Sequence, residues 1–207
     1  MRKKISIALI ILGALLLISA TALVVYNVKK AEKCSENSQK VLVEMKKLIP
    51  EDFVVDKEEE NFQQIIDGVD EIFKEEKEYI EIDGNKYIGI VRIPQINVEL
   101  PVMKDWSYKK MDTAPCVYDG SLENNDLIIK AHNYKGFFID LDELSSGSII
   151  EFVKCDGELI KFEVNNVETI GGWNTEALKE HNDWDLTLFT CTYSGYSRVV
   201  IRADLVE

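Results

Sequence analysis

Residues 5–26 run for 22 positions without a charged side chain, and no other stretch leaves the backbone so little choice. At about 1.5 Å of rise per residue, a helix of this length crosses a hydrocarbon core roughly 30 Å thick. Inside a bilayer only a helix satisfies every backbone N–H and C=O within one segment. The Met-Arg-Lys-Lys start places residues 1–4 as a cytoplasmic tip, so the chain from Lys29 onward lies outside. Ala20-Thr21-Ala22 has the small-x-small spacing of a signal-peptide cleavage site, but Leu23, Val24 and Val25 carry the apolar run past it and favour a retained signal anchor over 5–26. The expected location is the cell membrane, single-pass, with the remaining domain extracellular.

The full length of 207 residues leaves room beyond the anchor for a connector and one ordinary domain. With 24 basic and 37 acidic side chains the formal charge is −13, which repels phosphate backbones and removes nucleic acid as a partner. Four cysteines, Cys34, Cys116, Cys155 and Cys191, allow three disulfide pairings outside the membrane, and no spacing selects among them. There is no Cys-x-x-Cys pair and no paired Cys/His spacing, so no metal and no cofactor is expected. A domain of this size does not need a disulfide, which leaves a cysteine for reactivity.

Residues 27–78 read as a helical stalk followed by N-terminal helices. From 29 to 49 a weak apolar stripe of Val41, Leu42, Met45, Leu48 and Ile49 ends at Pro50. From 56 to 79, Phe62, Ile65, Ile66, Val69, Ile72 and Phe73 recur at helical intervals among acids, predicting an amphipathic helix that packs on the domain; the alternative is a helix that binds a partner. At Tyr79 the period changes to two, and 79–207 reads as a mainly β domain, a barrel or sandwich. Asp83-Gly84 and Asp156-Gly157 mark hairpins, the second joining 148–155 to 158–164. Stretches 127–131 and 186–191 read as buried strands, and 199–206 closes the chain.

The segment 186–201 carries the chemistry. A two-residue loop at Ser194-Gly195 would set Thr192 opposite Ser197 and Cys191 opposite Arg198. Directly opposed residues share a face, with Cβ atoms about 4.5–5.5 Å apart, so register alone places a guanidinium beside a thiol. A fixed cation there favours the thiolate and offers donors to an oxyanion. An amine leaving group also needs a proton donor. His132, which ends the strand 127–131 and opens the loop Asn133-Tyr134-Lys135-Gly136, suits that role; His181, within Glu180-His181-Asn182-Asp183, reads as a solvated surface residue. Each of the three has a plain structural alternative: a buried strand-end cysteine, a surface ion-pair arginine, a hydrogen-bonded histidine. Their agreement with one hairpin register and an external location favours catalysis.

At these residues the chain resembles the sortase family, whose hallmark strand Thr-Leu-x-Thr-Cys stands here as Thr187-Leu188-Phe189-Thr190-Cys191. A buried strand leading to His132-Asn133, the strand 88–94 and the Leu100-Pro101-Val102 end of 96–102 are also similar, so the resemblance covers about 87–206. It implies an eight-stranded sortase-type β-barrel with short helices. It also implies cleavage of a C-terminal Leu-Pro-x-Thr-Gly-like (LPXTG-like) sorting signal between Thr and Gly on surface proteins, an acyl-enzyme on Cys191, and transfer to an amine of a peptidoglycan precursor or a pilin lysine. By the same analogy Thr190 is a substrate-positioning residue, with strand packing as its alternative. Lys130 departs from the small or apolar residue common before the Ala-His pair, and Arg202 is a fallback for Arg198 should the register slip by two. Thr-Cys-Thr-Tyr followed closely by Arg-Val-Val suggests class B, yet 167–185 lacks room for that class's long helix, leaving the subclass open between B-like and D-like. The segment 171–185, holding Trp173 and Trp184, is expected to shape the peptide groove. Competing functions are a membrane-anchored cysteine peptidase that uses water and a non-catalytic module that binds sorting peptides.

Overall fold

The computed structural model describes residues 2–50, 77–174, 176–179 and 184–206. The expected amphipathic helix over 56–79 falls almost wholly outside the described residues, as does His181.

One helix, α1 (Arg2–Leu48), runs unbroken from the apolar segment into the stalk. Its first part is exposed apolar surface, including Leu9, Ile10, Leu16 and Leu17, and is long and apolar enough to cross a membrane. Its last turns are different: Val41, Leu42, Met45 and Ile49 follow an i, i+4 rhythm and are buried. They pack in a cluster with Ile80, Tyr87, Ile90, Met103 and Val153.

Among the described residues nine strands follow: β1 (Ile80–Ile82), β2 (Asn85–Ile93), β3 (Val98–Met103), β4 (Cys116–Asp119), β5 (Leu127–Lys130), β6 (Ile149–Lys154), β7 (Leu159–Gly171), β8 (Leu186–Cys191) and β9 (Ser197–Leu205). The pairing order β2-β3-β4-β5-β8-β9-β7-β6 closes on itself through β2–β6, giving the eight-stranded barrel, while β1 is a short flap on β2. Asp83 and Gly84 both take positive φ, 49° and 72°, the pair of left-handed residues a tight hairpin demands. The Asp156-Gly157 turn differs: only Gly157 is left-handed, and Gly157 N–H donates to Lys154 O at 3.1 Å, so the loop has three residues. The strand after it runs to Gly171 rather than 164 because β7 pairs first with β6 and then, past an irregularity between Val164 and Asn166, with β9.

Alternation sorts the side chains. Leu127, Ile129 and Ala131, Leu186 and Leu188, and Val199, Ile201 and Ala203 fill the barrel interior with Val91, Leu100, Phe137, Phe138 and Phe152. The alternate residues of β5, β8 and β9 therefore face outward. A helical turn, α2 (Tyr108–Met111), is capped by Ser107 Oγ accepting from Lys110 N–H at 3.1 Å. It lies in the crossover between parallel β3 and β4, and this connection reaches over the outer face of β5.

Candidate active site

β8 and β9 are antiparallel, and their register pairs Cys191 with Arg198, the partners read from the sequence. The loop between them is not the two-residue turn expected at Ser194-Gly195. Thr192 N–H donates to Ser197 O at 3.0 Å and Gly195 N–H to Thr192 O at 2.9 Å, so the bend has four residues, with Tyr193 and Ser194 at its centre. A two-residue loop needs φ above zero at its first central residue, which Ser194 does not adopt; Gly195 alone is left-handed, at 76°. The register survives because Thr192 and Ser197 pair in either arrangement.

β5 and β8 run parallel, from Leu127↔Leu186 to Lys130↔Phe189. The pairing continues past the strand end: Ala131 N–H donates to Phe189 O at 3.2 Å, Thr190 Oγ1 to Ala131 O at 2.9 Å, and Asn133 Nδ2 to Thr192 O at 3.1 Å. His132 thus comes level with Cys191 on the neighbouring strand. The outer face carries two complete rows across β5, β8 and β9, Lys130–Phe189–Val200 and Ile128–Thr187–Arg202, and beyond them the Cys191–Arg198 pair, with His132 two residues past Lys130 as Cys191 is two past Phe189.

Cys191 is partly exposed, whereas Cys34, Cys116 and Cys155 are buried, and all four are free thiols. Burial pushes Cys116 up to about 12 and Cys155 up to about 11, and it also raises Cys34. Those three are inert core residues. Arg198 Nη1 donates to Gly195 O at 3.0 Å and to Ser197 O at 2.9 Å. Among the described residues its Nε and Nη2 donors have no protein partner, so they remain for a ligand.

His132 is mostly buried. Its ring stacks on Tyr134 with centroids 4.6 Å apart, and its Nε2 lies 3.2 Å from Asp112 Oδ1. Asp112 caps α2 and also meets Lys30 of α1, with Lys30 Nζ 3.2 Å from the same oxygen. Burial pulls the imidazole below its usual range, the Asp112 carboxylate opposes this, and Lys30 and Lys130 reinforce it. Neither Asp112 nor Lys30 was among the residues singled out from the sequence. Nothing in their local pattern marks them, since they arrive from elements 20 and 102 positions before His132.

Thr190 turns inward, 1% exposed, and its hydroxyl is committed to Ala131 O. It ties β5 to β8 beneath the row rather than reaching the outer face. Arg202, the expected fallback for Arg198, is also 1% exposed. Its guanidinium is spent on Glu168, Thr187 and the carbonyls of Ala177 and Leu178, so it pins the segment before β8 and cannot replace Arg198. No group of three or more His, Cys, Asp or Glu with metal-binding geometry occurs among the described residues.

The family model described as Sortase domain matches residues 91–206. Sortase A of Bacillus anthracis is 26% identical over 132 residues, 60% of this chain; the chain spans 62% of that relative's length. In fold, the chain is similar to the sortase D5 transpeptidase of Clostridium perfringens, with a TM-score of 0.58 and 18% identity over 83% of this chain and 99% of that one. It is also similar to sortase C of Streptococcus pneumoniae, with a TM-score of 0.54 and 19% identity over 86% and 89% of the two chains.

Proposed function

Because the chain belongs to the sortase family, we propose that it is a membrane-anchored cysteine transpeptidase acting on a Leu-Pro-x-Thr-Gly-like sorting signal outside the cytoplasm, with Cys191 as nucleophile, His132 as acid/base and Arg198 as oxyanion donor. The observation that carries this reading is the Cys191–Arg198 pair on β8 and β9, with His132 following neighbouring β5 at the position that continues its parallel register to Cys191. Cys191 Sγ attacks the Thr carbonyl carbon, and the electrons moved onto the carbonyl oxygen are held by the free Arg198 donors. His132 gives a proton to the departing glycine nitrogen as the C–N bond breaks, leaving a thioester on Cys191. An amine, from a peptidoglycan precursor or a pilin lysine, then attacks the thioester; His132 takes its proton and the Cys191 thiolate leaves.

Thr190 is a positioning residue in this scheme, since it acts through Ala131 on the residue that follows. The described residues of the segment 171–185 support its role in shaping the peptide groove: Arg202 holds Ala177 and Leu178 against the outer face, and Gly172 N–H donates to Tyr196 O at 2.8 Å. Residues 1–4 are cytoplasmic, 5–26 span the membrane, 27–78 form the stalk and 79–207 the catalytic domain.

The test is cleavage of a quenched Leu-Pro-x-Thr-Gly peptide with and without an amine acceptor. Wild type should yield the amine adduct and Cys191→Ala nothing. Cleavage that survives Cys191→Ala removes the nucleophile, and hydrolysis that ignores the amine makes the protein a peptidase.

A further inference from the structure

The row beside the catalytic one holds a cation that the mechanism does not use. Lys130 Nζ lies 4.7 Å from the ring centroid of Trp106, 5.4 Å from Tyr108, 5.5 Å from Tyr118 and 5.7 Å from Phe189. The rings are themselves in contact: Trp106 with Tyr108 at 5.9 Å and with Tyr118 at 5.6 Å, and Tyr118 with Phe189 at 5.1 Å. They fix the ammonium in place through their electron-rich faces, but they do not neutralise it.

Among the described residues Lys130 pairs with no carboxylate, and it differs from other lysines without one, such as Lys29, Lys33, Lys109 and Lys161, in being half-buried where they are exposed. Water can solvate those exposed ammonium groups, whereas Lys130 is partly cut off from it with no opposite charge beside it. Burial draws the Lys130 amine below its ordinary range, and the charge of Cys191 is the first influence acting the other way. Two residues along a strand span about 7 Å, so Lys130 stands roughly that far from the row that holds the scissile carbonyl. An extended peptide laid across this face covers the same distance in two residues.

We propose that Lys130 and its aromatic cage form a carboxylate subsite, selecting substrates with an Asp or Glu within about two residues of the scissile bond. This rests on the peptide-cleaving reading of the same site. An incoming carboxylate meets a cation already ordered and partly stripped of water, so its charge-assisted hydrogen bond is stronger than at the open surface. Trp106 and Tyr108, 40% and 71% exposed, form the open rim through which it enters.

The experiment uses matched peptides on the Leu-Pro-x-Thr-Gly frame, each with a single Glu or its isostere Gln at one position flanking the scissile bond. Wild type should prefer Glu over Gln by about tenfold in kcat/KM at one position, the size expected of one charge-assisted hydrogen bond. Lys130→Met and Lys130→Gln should lower that ratio to about one while still cleaving the Gln peptides, and Lys130→Glu should favour a Lys peptide. Equal use of Glu and Gln at every position by wild type, or a preference that persists in both neutral variants, overturns the subsite. Failure of wild type to cleave any peptide removes the peptide-cleaving reading instead. Binding of the same pairs to Cys191→Ala, followed by anisotropy, then decides the subsite by itself: a Glu preference lost with Lys130 upholds it, and equal or absent binding overturns it.

Discussion

Replacing Arg198 or Arg202 by methionine should separate chemistry from stability, although the two stand four residues apart on one strand. Arg202 donates to Glu168 Oε1 at 3.1 Å, Thr187 Oγ1 at 3.0 Å, Leu178 O at 3.1 Å and Ala177 O at 2.7 Å. Methionine fills most of the volume but leaves three uncharged acceptors without their donor, at about 1 kcal/mol each. The Glu168 carboxylate is 34% exposed, so losing its ion pair adds only about 0–1 kcal/mol. A destabilisation of about 3–4 kcal/mol corresponds to roughly 10–15 °C in Tm, taking about 2.1 cal/mol/K of unfolding entropy per residue over a domain of about 130 residues. Arg198→Met removes only contacts to two carbonyls of a solvated turn, so its Tm should move by about 2 °C or less. Its cost falls on turnover, about 10²–10³ in kcat for one lost oxyanion donor. Calorimetric melting and the rate of amine-adduct formation per folded molecule measure the two effects. The reasoning fails if Arg198→Met melts with Arg202→Met, or if its turnover stays within about threefold of wild type.

Brief alkylation of the native protein should label Cys191 alone, because Cys34, Cys116 and Cys155 are at most 4% exposed; peptide mapping that finds a second adduct refutes the burial argument. Gly172→Ala would set a methyl 2.6 Å from Tyr196 O and 3.1 Å from Arg198 Nη1, forcing the hairpin outward, so turnover should fall about tenfold or more with a Tm loss of only a few degrees. Buried His132 titrates below the ordinary 6.5, so stability drawn from its neutral ring is complete above pH 6.5 and declines as the pH falls through the lower folded value. Asp112→Asn should push the imidazole transition to still lower pH and Lys30→Met should raise it, each followed by histidine NMR; shifts of the same sign in both would contradict the arrangement.

Period-two alternation and turn chemistry make a mainly β domain legible, barrel or sandwich, because one face of each strand must fill a core; the choice of an eight-stranded barrel rests on the family resemblance. Leu127, Ile129 and Ala131 obey that rule, and so do Leu186 and Leu188. The Cys191–Arg198 register was readable because it depends only on how many residues separate Thr192 from Ser197, whatever turn joins them. The turn itself was not, since its form depends on the φ of Ser194. Arg202 reads from the sequence as a substitute for Arg198 because both lie on one face; that the segment 176–178 folds over it is a tertiary fact with no local trace. Asp112, Lys30 and the rings around Lys130 likewise reach the outer face from the β3–β4 crossover and from α1. Lys130 did carry a visible signal, a charge where an apolar residue is usual, but its meaning emerged only once the rings were in place.

The unbroken course of α1 sets a height for the chemistry. With residues 5–26 embedded in a bilayer as proposed, four more residues of helix, about 6 Å of rise, reach Lys30 and with it Asp112 and His132. On the proposed roles, Cys191 would then work at the level of the lipid headgroups. Substrates tethered to the same leaflet would find it by a two-dimensional search, while a freely diffusing peptide would have to come down to the surface. The phase of α1 matters as well as its length: one residue inserted between Tyr26 and Lys30 turns the helix by about 100° and swings the domain to a new bearing over the membrane.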